Sequence, residues 1–187
     1  TVSSTVPGET FSGGYSLQKG SSFSILNSKR LKVITVDHDF IPAYGIRMTA
    51  GRAFQGASGN DEQSAYIINE AGARELGLTP ERALGTQWTA HYHRKTKTIV
   101  GVTADFHFLG MKDEAEPLIL DIEKSLLRVM TLSLDARRVS QALAAVKTTW
   151  RRHFPGVPFE YSFLDEAFGR VYQYEERMGR LLGLVSG

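Results

Sequence analysis

The chain has 187 residues, with 22 Lys plus Arg against 20 Asp plus Glu and no cysteine. At ~150 residues per domain this makes one domain or two small intertwined subdomains, and a composition that is 42% hydrophobic and 22% charged excludes disorder. The absence of cysteine excludes thiol chemistry, zinc–thiolate sites and iron–sulfur ligation while leaving the compartment open, and a net charge of +2 is too weak to argue for nucleic acid.

The chain opens at Thr1, with no methionine and no basic–apolar–small signal pattern. A mature protein or an excised piece is expected. The first thirty or so residues are rich in Ser, Thr and Gly, with a turn at Pro7-Gly8 and short extended pieces at Tyr15–Leu17 and Phe23–Leu26. Leu31–Val36 is β-rich. Asp37 to Gly45 reads as a short helix capped by Asp37 or Asp39, with Pro42 in its first turn and Gly45 as its stop.

Ala57–Gln63 reads as a polar loop and Ala65–Ile68 as a strand. Asn69 caps a helix over Glu70–Leu76, closed by Gly77. Thr79 to Gly85 carries every signal of a compact helical turn: Thr cap, Pro80 at the first position, Glu81 next, Gly at the end. Gln87–His93 and Thr98–Thr103 bracket Arg94-Lys95-Thr96-Lys97, a hairpin with a basic tip. Pro117–Ile122 is a further strand.

Leu127–Leu134 reads as a strand. Asp135 then caps a helix reaching about His153, with Val139, Ala142, Leu143, Val146 and Trp150 on one stripe. Phe159–Phe163 is a strand with its three aromatics on one face. Asp165 caps a final helix carrying Phe168, Val171, Tyr172, Met178 and Leu182. This pattern predicts an α+β sandwich of two layers. No segment holds the ~18 apolar residues that cross a bilayer. The charged final helix nevertheless runs into Leu181-Leu182-Gly183-Leu184-Val185. That ending reads equally as the edge of a membrane span or as a fraying helix.

Motifs for catalysis are scarce. Gly14-Tyr15-Ser16-Leu17-Gln18 fails as a nucleophile elbow at its last place, and no phosphate-cradling glycine loop is present. His91 and His93, two apart on a strand, share one face and could chelate a metal with His107. An exposed hairpin with outward polar residues is the simpler reading. Asp37, Asp39 and Asp61 are conceivable acid/base groups, but acids beside helix starts more often cap. Asp105 and His107 follow an apolar strand without a Ser or Cys partner, which suggests a hydrogen-bonded corner. Arg151-Arg152-His153 sits at a helix C-terminus, where solvated cations complement the dipole. No catalytic, cofactor-binding or metal residue is assigned.

Taken in order, several strings are more informative. Val36-Asp37-His38-Asp39-Phe40-Ile41-Pro42-Ala43-Tyr44-Gly45-Ile46 precedes Ala50-Gly51-Arg52-Ala53-Phe54. Ile67-Ile68-Asn69-Glu70-Ala71 follows, then Leu76-Gly77 and Ala83-Leu84-Gly85. Ile99 to Phe108 and Glu116-Pro117-Leu118 come next, and Phe159 to Phe168 with Tyr172 and Glu176 closes the series. From about Val36 onward the chain resembles the periplasmic core domain of MacB/FtsX-type ABC transporter permeases.

The resemblance implies a two-lobed α+β periplasmic domain of an inner-membrane protein, of the type met in Gram-negative bacteria. Residues 1–45 and 117–187 would form a discontinuous porter-like strand–helix–strand lobe. Residues 46–116 would form an inserted Sabre-like lobe, and 181–187 the start of a transmembrane helix. It implies mechanotransmission rather than catalysis: a separate cytoplasmic ATPase subunit or domain drives motion, and the domain passes it to a periplasmic substrate or partner. The implied partners are its own transmembrane helices, that ATPase, a second permease copy or pseudo-copy, and a periplasmic adaptor or lipoprotein. No cofactor and no nucleic acid are implied. A stand-alone extracytoplasmic ligand-binding or sensor domain is the alternative. A metallohydrolase using His91, His93 and His107 is a third reading.

Overall fold

A computed structural model describes residues 1–6, 13–20, 28–56, 59–92, 94–106 and 115–164. The chain divides into two compact units, Thr1–Thr131 and Leu132–Gly187.

The first unit contains β1 (Val2–Ser3), β2 (Gly14–Lys19), β3 (Lys29–Thr35), α1 (Phe40–Ala43), β4 (Met48–Gly51), α2 (Asp61–Ser64) and β5 (Ala65–Asn69). It continues with α3 (Glu70–Glu75), α4 (Pro80–Ala83), β6 (Gln87–Ala90), β7 (Lys95–Thr103), β8 (Leu118–Asp121), a 3-10 turn (Lys124–Leu126) and β9 (Val129–Met130). Seven strands form one sheet in the order β4-β7-β5-β8-β3-β2-β6, and β6 also pairs with β7. That last pairing closes six strands into a ring.

The closure depends on the nine-residue length of β7. Its first residues, Lys95 to Thr98, pair with β6, and Gly101 to Thr103 pair with β4. Its other edge takes β5 in parallel, with a register shift between Tyr66 and Ile67. Such a shift bends the strand, as closure requires. In place of the expected two-layer sandwich the sheet curls into a small barrel, because one long strand serves both ends of it.

Alternation along each strand sorts the core. Tyr15, Leu17, Leu31, Val33, Tyr66, Ile68, Trp88, Ala90, Ile99 and Ile119 pack together inside the ring, with Ala73 of α3 and Leu76 at its C-terminus against them. The alternate residues Ile34, Ala65, Ile67, Leu118 and Leu120 pack outside it with Phe40 and Ile41 of α1 and with Phe54. β5 and β8 are buried at every position. Both faces are covered, which is why they read as unbroken apolar runs.

Strands expected within 46–116 and those from the segments on either side share this one sheet. β5 joins them, with β7 on one side and β8 on the other. The boundary between the two compact units falls after Thr131.

The strands expected over Tyr15–Leu17, Leu31–Val36, Ala65–Ile68 and Pro117–Ile122 are present as β2, β3, β5 and β8. Asn69 caps α3 as expected, its side chain accepting from Gly72 N, and Thr79 caps α4 with Pro80 inside the first turn. α1 forms, but neither Asp37 nor Asp39 caps it through a side chain. The end of the expected polar loop at Ala57–Gln63 contributes to α2. The β6–β7 hairpin exists, yet Lys95, Thr96 and Lys97 belong to β7, so its turn lies earlier, with Arg94 at φ 51°.

In the second unit, described to Leu164, helix α5 (Val139–His153) dominates. Val139, Ala142, Leu143, Val146 and Trp150 are half-buried and the residues between them are exposed, the stripe that helical spacing predicts. Asp135 makes a turn ahead of the helix rather than a cap, its Oδ1 accepting from Arg137 N at 2.9 Å. Of the strand expected over Leu127–Leu134 only β9 pairs, antiparallel with β1. Phe159–Phe163 is not paired as a strand among the described residues. Its aromatics do line up: Phe159 and Tyr161 rings lie 5.6 Å apart, Tyr161 and Phe163 rings 5.7 Å. The turn at Pro7-Gly8, the strand at Phe23–Leu26, the final helix from Asp165 and the tail 181–187 lie outside the described residues.

Candidate functional site

The polar residues that the sequence singles out hold the barrel's connections in place. Arg52 follows β4 and Asp61 opens α2. Arg52 Nη1 donates to Asp61 Oδ2 at 2.6 Å and Nη2 to Oδ1 at 2.9 Å, a bidentate clamp, while Gln55 N donates to Oδ2 at 2.7 Å. Asp61 is buried. The Arg52 hydrogen bonds hold its carboxyl below the usual carboxylate range; burial opposes them, and the Gln55 amide adds to them. Asp61, conceivable as an acid/base group, is thus a structural anion.

The residue next to it extends this knot. The Glu62 carbonyl accepts from Lys97 Nζ at 2.6 Å, and its carboxylate accepts from Lys124 Nζ at 2.6 Å. Lys97 points into the ring, where Asp121 Oδ1 accepts from it. Tyr15 Oη donates to Asp121 Oδ2 at 3.1 Å, and the Tyr66 ring lies 5.3 Å from the ammonium. Burial, then the Asp121 charge, pushes both phenols upward. Sequence reasoning misses this cluster by placing Lys97 at an exposed tip. A signal existed: Lys97 stands two residues before the apolar Ile99, on the same face of a strand.

Asn69 is a second bracket. Its Oδ1 accepts from Gly72 N at 2.8 Å and Leu118 N at 2.9 Å, and its Nδ2 donates to the Glu116 carbonyl at 2.9 Å. Asp105, just beyond β7, accepts from Ala71 N and Arg74 Nη2, each at 2.7 Å. For Asp105 this is the expected hydrogen-bonded corner, and it ties the exit of β7 to α3. Asp37 accepts from Thr1 Oγ1 at 2.5 Å, Val2 N at 2.6 Å and Asp39 N at 3.2 Å, fastening β1. Asp39 is exposed, 3.7 Å from His38 Nε2.

His91 is half-buried; His93 and His107 lie outside the described residues. Among the described residues no group of three potential ligands is placed to hold a metal ion. A surface cleft of about 320 Å³ is lined by Gly13, Gly14, Arg30, Lys32, Glu116 and Pro117, with Lys32 and Glu116 ion-paired. No described helix is long and apolar enough to cross a membrane.

No protein-family model matches the chain, and no curated protein matches it. Solved structures do. The periplasmic region of MacB from Actinobacillus actinomycetemcomitans is similar at 12% identity and TM-score 0.48, over 81% of this chain and 67% of that one. A domain of a permease protein from Porphyromonas gingivalis is similar at 16% identity and TM-score 0.49, over 85% and 82%. The extracellular domain of the ABC-type transporter YknZ from Gram-positive bacteria is similar at 12% identity and TM-score 0.49, over 75% and 71%. The MacB and YknZ structures are a periplasmic and an extracellular part of their transport proteins.

Proposed function

We propose that this chain is the extracytoplasmic domain of an ABC transporter permease of the MacB/FtsX type, passing ATP-driven motion to a substrate or partner outside the membrane. The ordered series of strings from Val36 to Glu176 carries this reading. The places those strings occupy support it. Arg52, Asn69 and Asp105 each bridge two elements of the barrel through well-formed hydrogen bonds. Such brackets resist shear, and a body that transmits displacement must move without deforming. The domain itself acts mechanically rather than as an enzyme. Its partners in this reading are its own membrane helices, a cytoplasmic ATPase, a second permease copy or pseudo-copy, and a periplasmic adaptor or lipoprotein.

The test uses the intact parent protein. A flexible Gly/Ser insertion between Thr131 and Leu132, the boundary of the two compact units, should abolish transport while ATP hydrolysis persists. Full transport with the insertion would overturn the reading, as would a parent coding sequence with no hydrophobic span on either side of this segment. A ligand-binding or sensor module is the second reading, favoured by the cleft beside Arg30 and Lys32. Saturable small-molecule binding lost in Arg30→Ala would favour it instead.

A further inference from the structure

Helix α5 and the turn after it carry a charge pattern unlike the rest of the described chain. From Ala136 to Phe159 there are five fixed cations, Arg137, Arg138, Lys147, Arg151 and Arg152, with His153 beside them and no Asp or Glu. All six side chains are exposed. Among the described residues every ion pair lies in Thr1–Thr131. Arg151, Arg152 and His153 stand in the last turn of the helix as expected, solvated cations that complement its dipole; none of their side chains bonds a terminal carbonyl, and the backbone closes the helix, Phe154 N donating to the Trp150 carbonyl at 2.8 Å.

These cations adjoin a protruding apolar turn. Phe154 is 48% exposed and Val157 51%. The turn is held in shape: Trp150 Nε1 donates to the Val157 carbonyl at 3.1 Å, and the Trp150 and Phe154 rings lie 4.6 Å apart. Lys147 and Arg151 stand four apart on the exposed flank of the apolar stripe.

We propose that this end of α5, with the Phe154–Val157 turn, docks on an anionic phospholipid surface. Size selects lipid over an acidic protein. The exposed apolar part of this segment is Phe154, Val157 and Tyr161, three side chains against the ~800 Å² per partner of a stable protein interface. Aromatic and apolar tips ringed by Lys and Arg are instead what sits at the headgroup boundary, where cations meet phosphate and the tip enters the acyl edge. The inference goes beyond the permease reading and does not depend on it.

The whole chain should sediment with vesicles of phosphatidylglycerol mixed into phosphatidylcholine, and not with phosphatidylcholine alone. Added salt should release it by screening the cations. Arg151→Gln with Arg152→Gln should weaken binding roughly 30-fold, about five-fold for each charge removed. Phe154→Ser with Val157→Ser should weaken it too, while Arg82→Gln on α4 leaves it unchanged. Circular dichroism checks that each variant keeps its helix. No sedimentation at low salt overturns the proposal. So does equal loss in Arg82→Gln, which would mean a nonspecific charge effect. Binding to polyglutamate without binding to vesicles overturns it in favour of an acidic protein partner.

Discussion

Lys97 Nζ stands 2.5 Å from Asp121 Oδ1 inside the barrel, with both side chains 2% exposed. They come from strands that are not neighbours, since β5 lies between β7 and β8. The pair therefore spans the interior. Removing one partner leaves a buried charge without its counter-charge, at a cost of about 3–5 kcal/mol. Lys97→Met and Asp121→Asn should each lose stability on that scale in urea denaturation. The double variant should lose clearly less than the sum, because neither charge remains. Strict additivity would mean the two groups do not act as a pair.

Arg52 and Asp61 set a pH dependence. The Asp61 carboxyl titrates below its unfolded range because the Arg52 hydrogen bonds favour its charged form. A depressed carboxyl contributes stability above its unfolded pKa of about 3.9, and that contribution disappears as pH falls through the folded value. Stability should thus fall more steeply below about pH 4 in the natural chain than in Asp61→Asn. Parallel curves of unfolding free energy against pH would refute this role for the clamp.

What the sequence discloses is mostly local. The Asn69 and Thr79 caps, Pro80 in the first turn of α4 and the apolar stripe of α5 each depend on neighbours within a few residues, and each is present. The barrel is not local. It depends on β7 reaching β6, β5 and β4 at once, and periodicity carries no information about which strands pair. Lys97 illustrates the consequence: two lysines near a turn resemble an exposed tip until β7 is known to begin at Lys95. Asp61 and Asp105 were recognisable as polar residues of interest, but their partners Arg52 and Arg74 are 9 and 31 residues away.

Asn69 should be hard to replace. It caps α3 and also fills the place of a strand residue beside Glu116 and Leu118. Asn69→Ala strands the Gly72 and Leu118 amides and should cost about 2–4 kcal/mol, a lost cap plus unsatisfied buried groups. Hydrogen exchange at the Leu118 amide should accelerate more than global destabilisation explains. Unchanged exchange there would remove the bracket from the account.

Gly101 and Gly51 face each other across β7 and β4, and the Arg52 backbone lies against Gly101, its N donating to the Val100 carbonyl at 3.0 Å. A Cβ on Gly101 would run into the Arg52 carbonyl oxygen, a backbone atom that cannot rotate away. Gly77 differs: its φ is +72°, but a Cβ there meets nothing within 4 Å. Gly77→Ala should therefore cost about 1–2 kcal/mol, the left-handed strain alone. Gly101→Ala should cost more, in the upper part of the ~1–3 kcal/mol range for overpacking, and should also loosen the Arg52–Asp61 clamp that the same backbone positions. The paired readout is thermal stability together with its acid limb. If Gly101→Ala melts like Gly77→Ala and keeps the steep loss below about pH 4, the glycine pair does not hold β4 against β7.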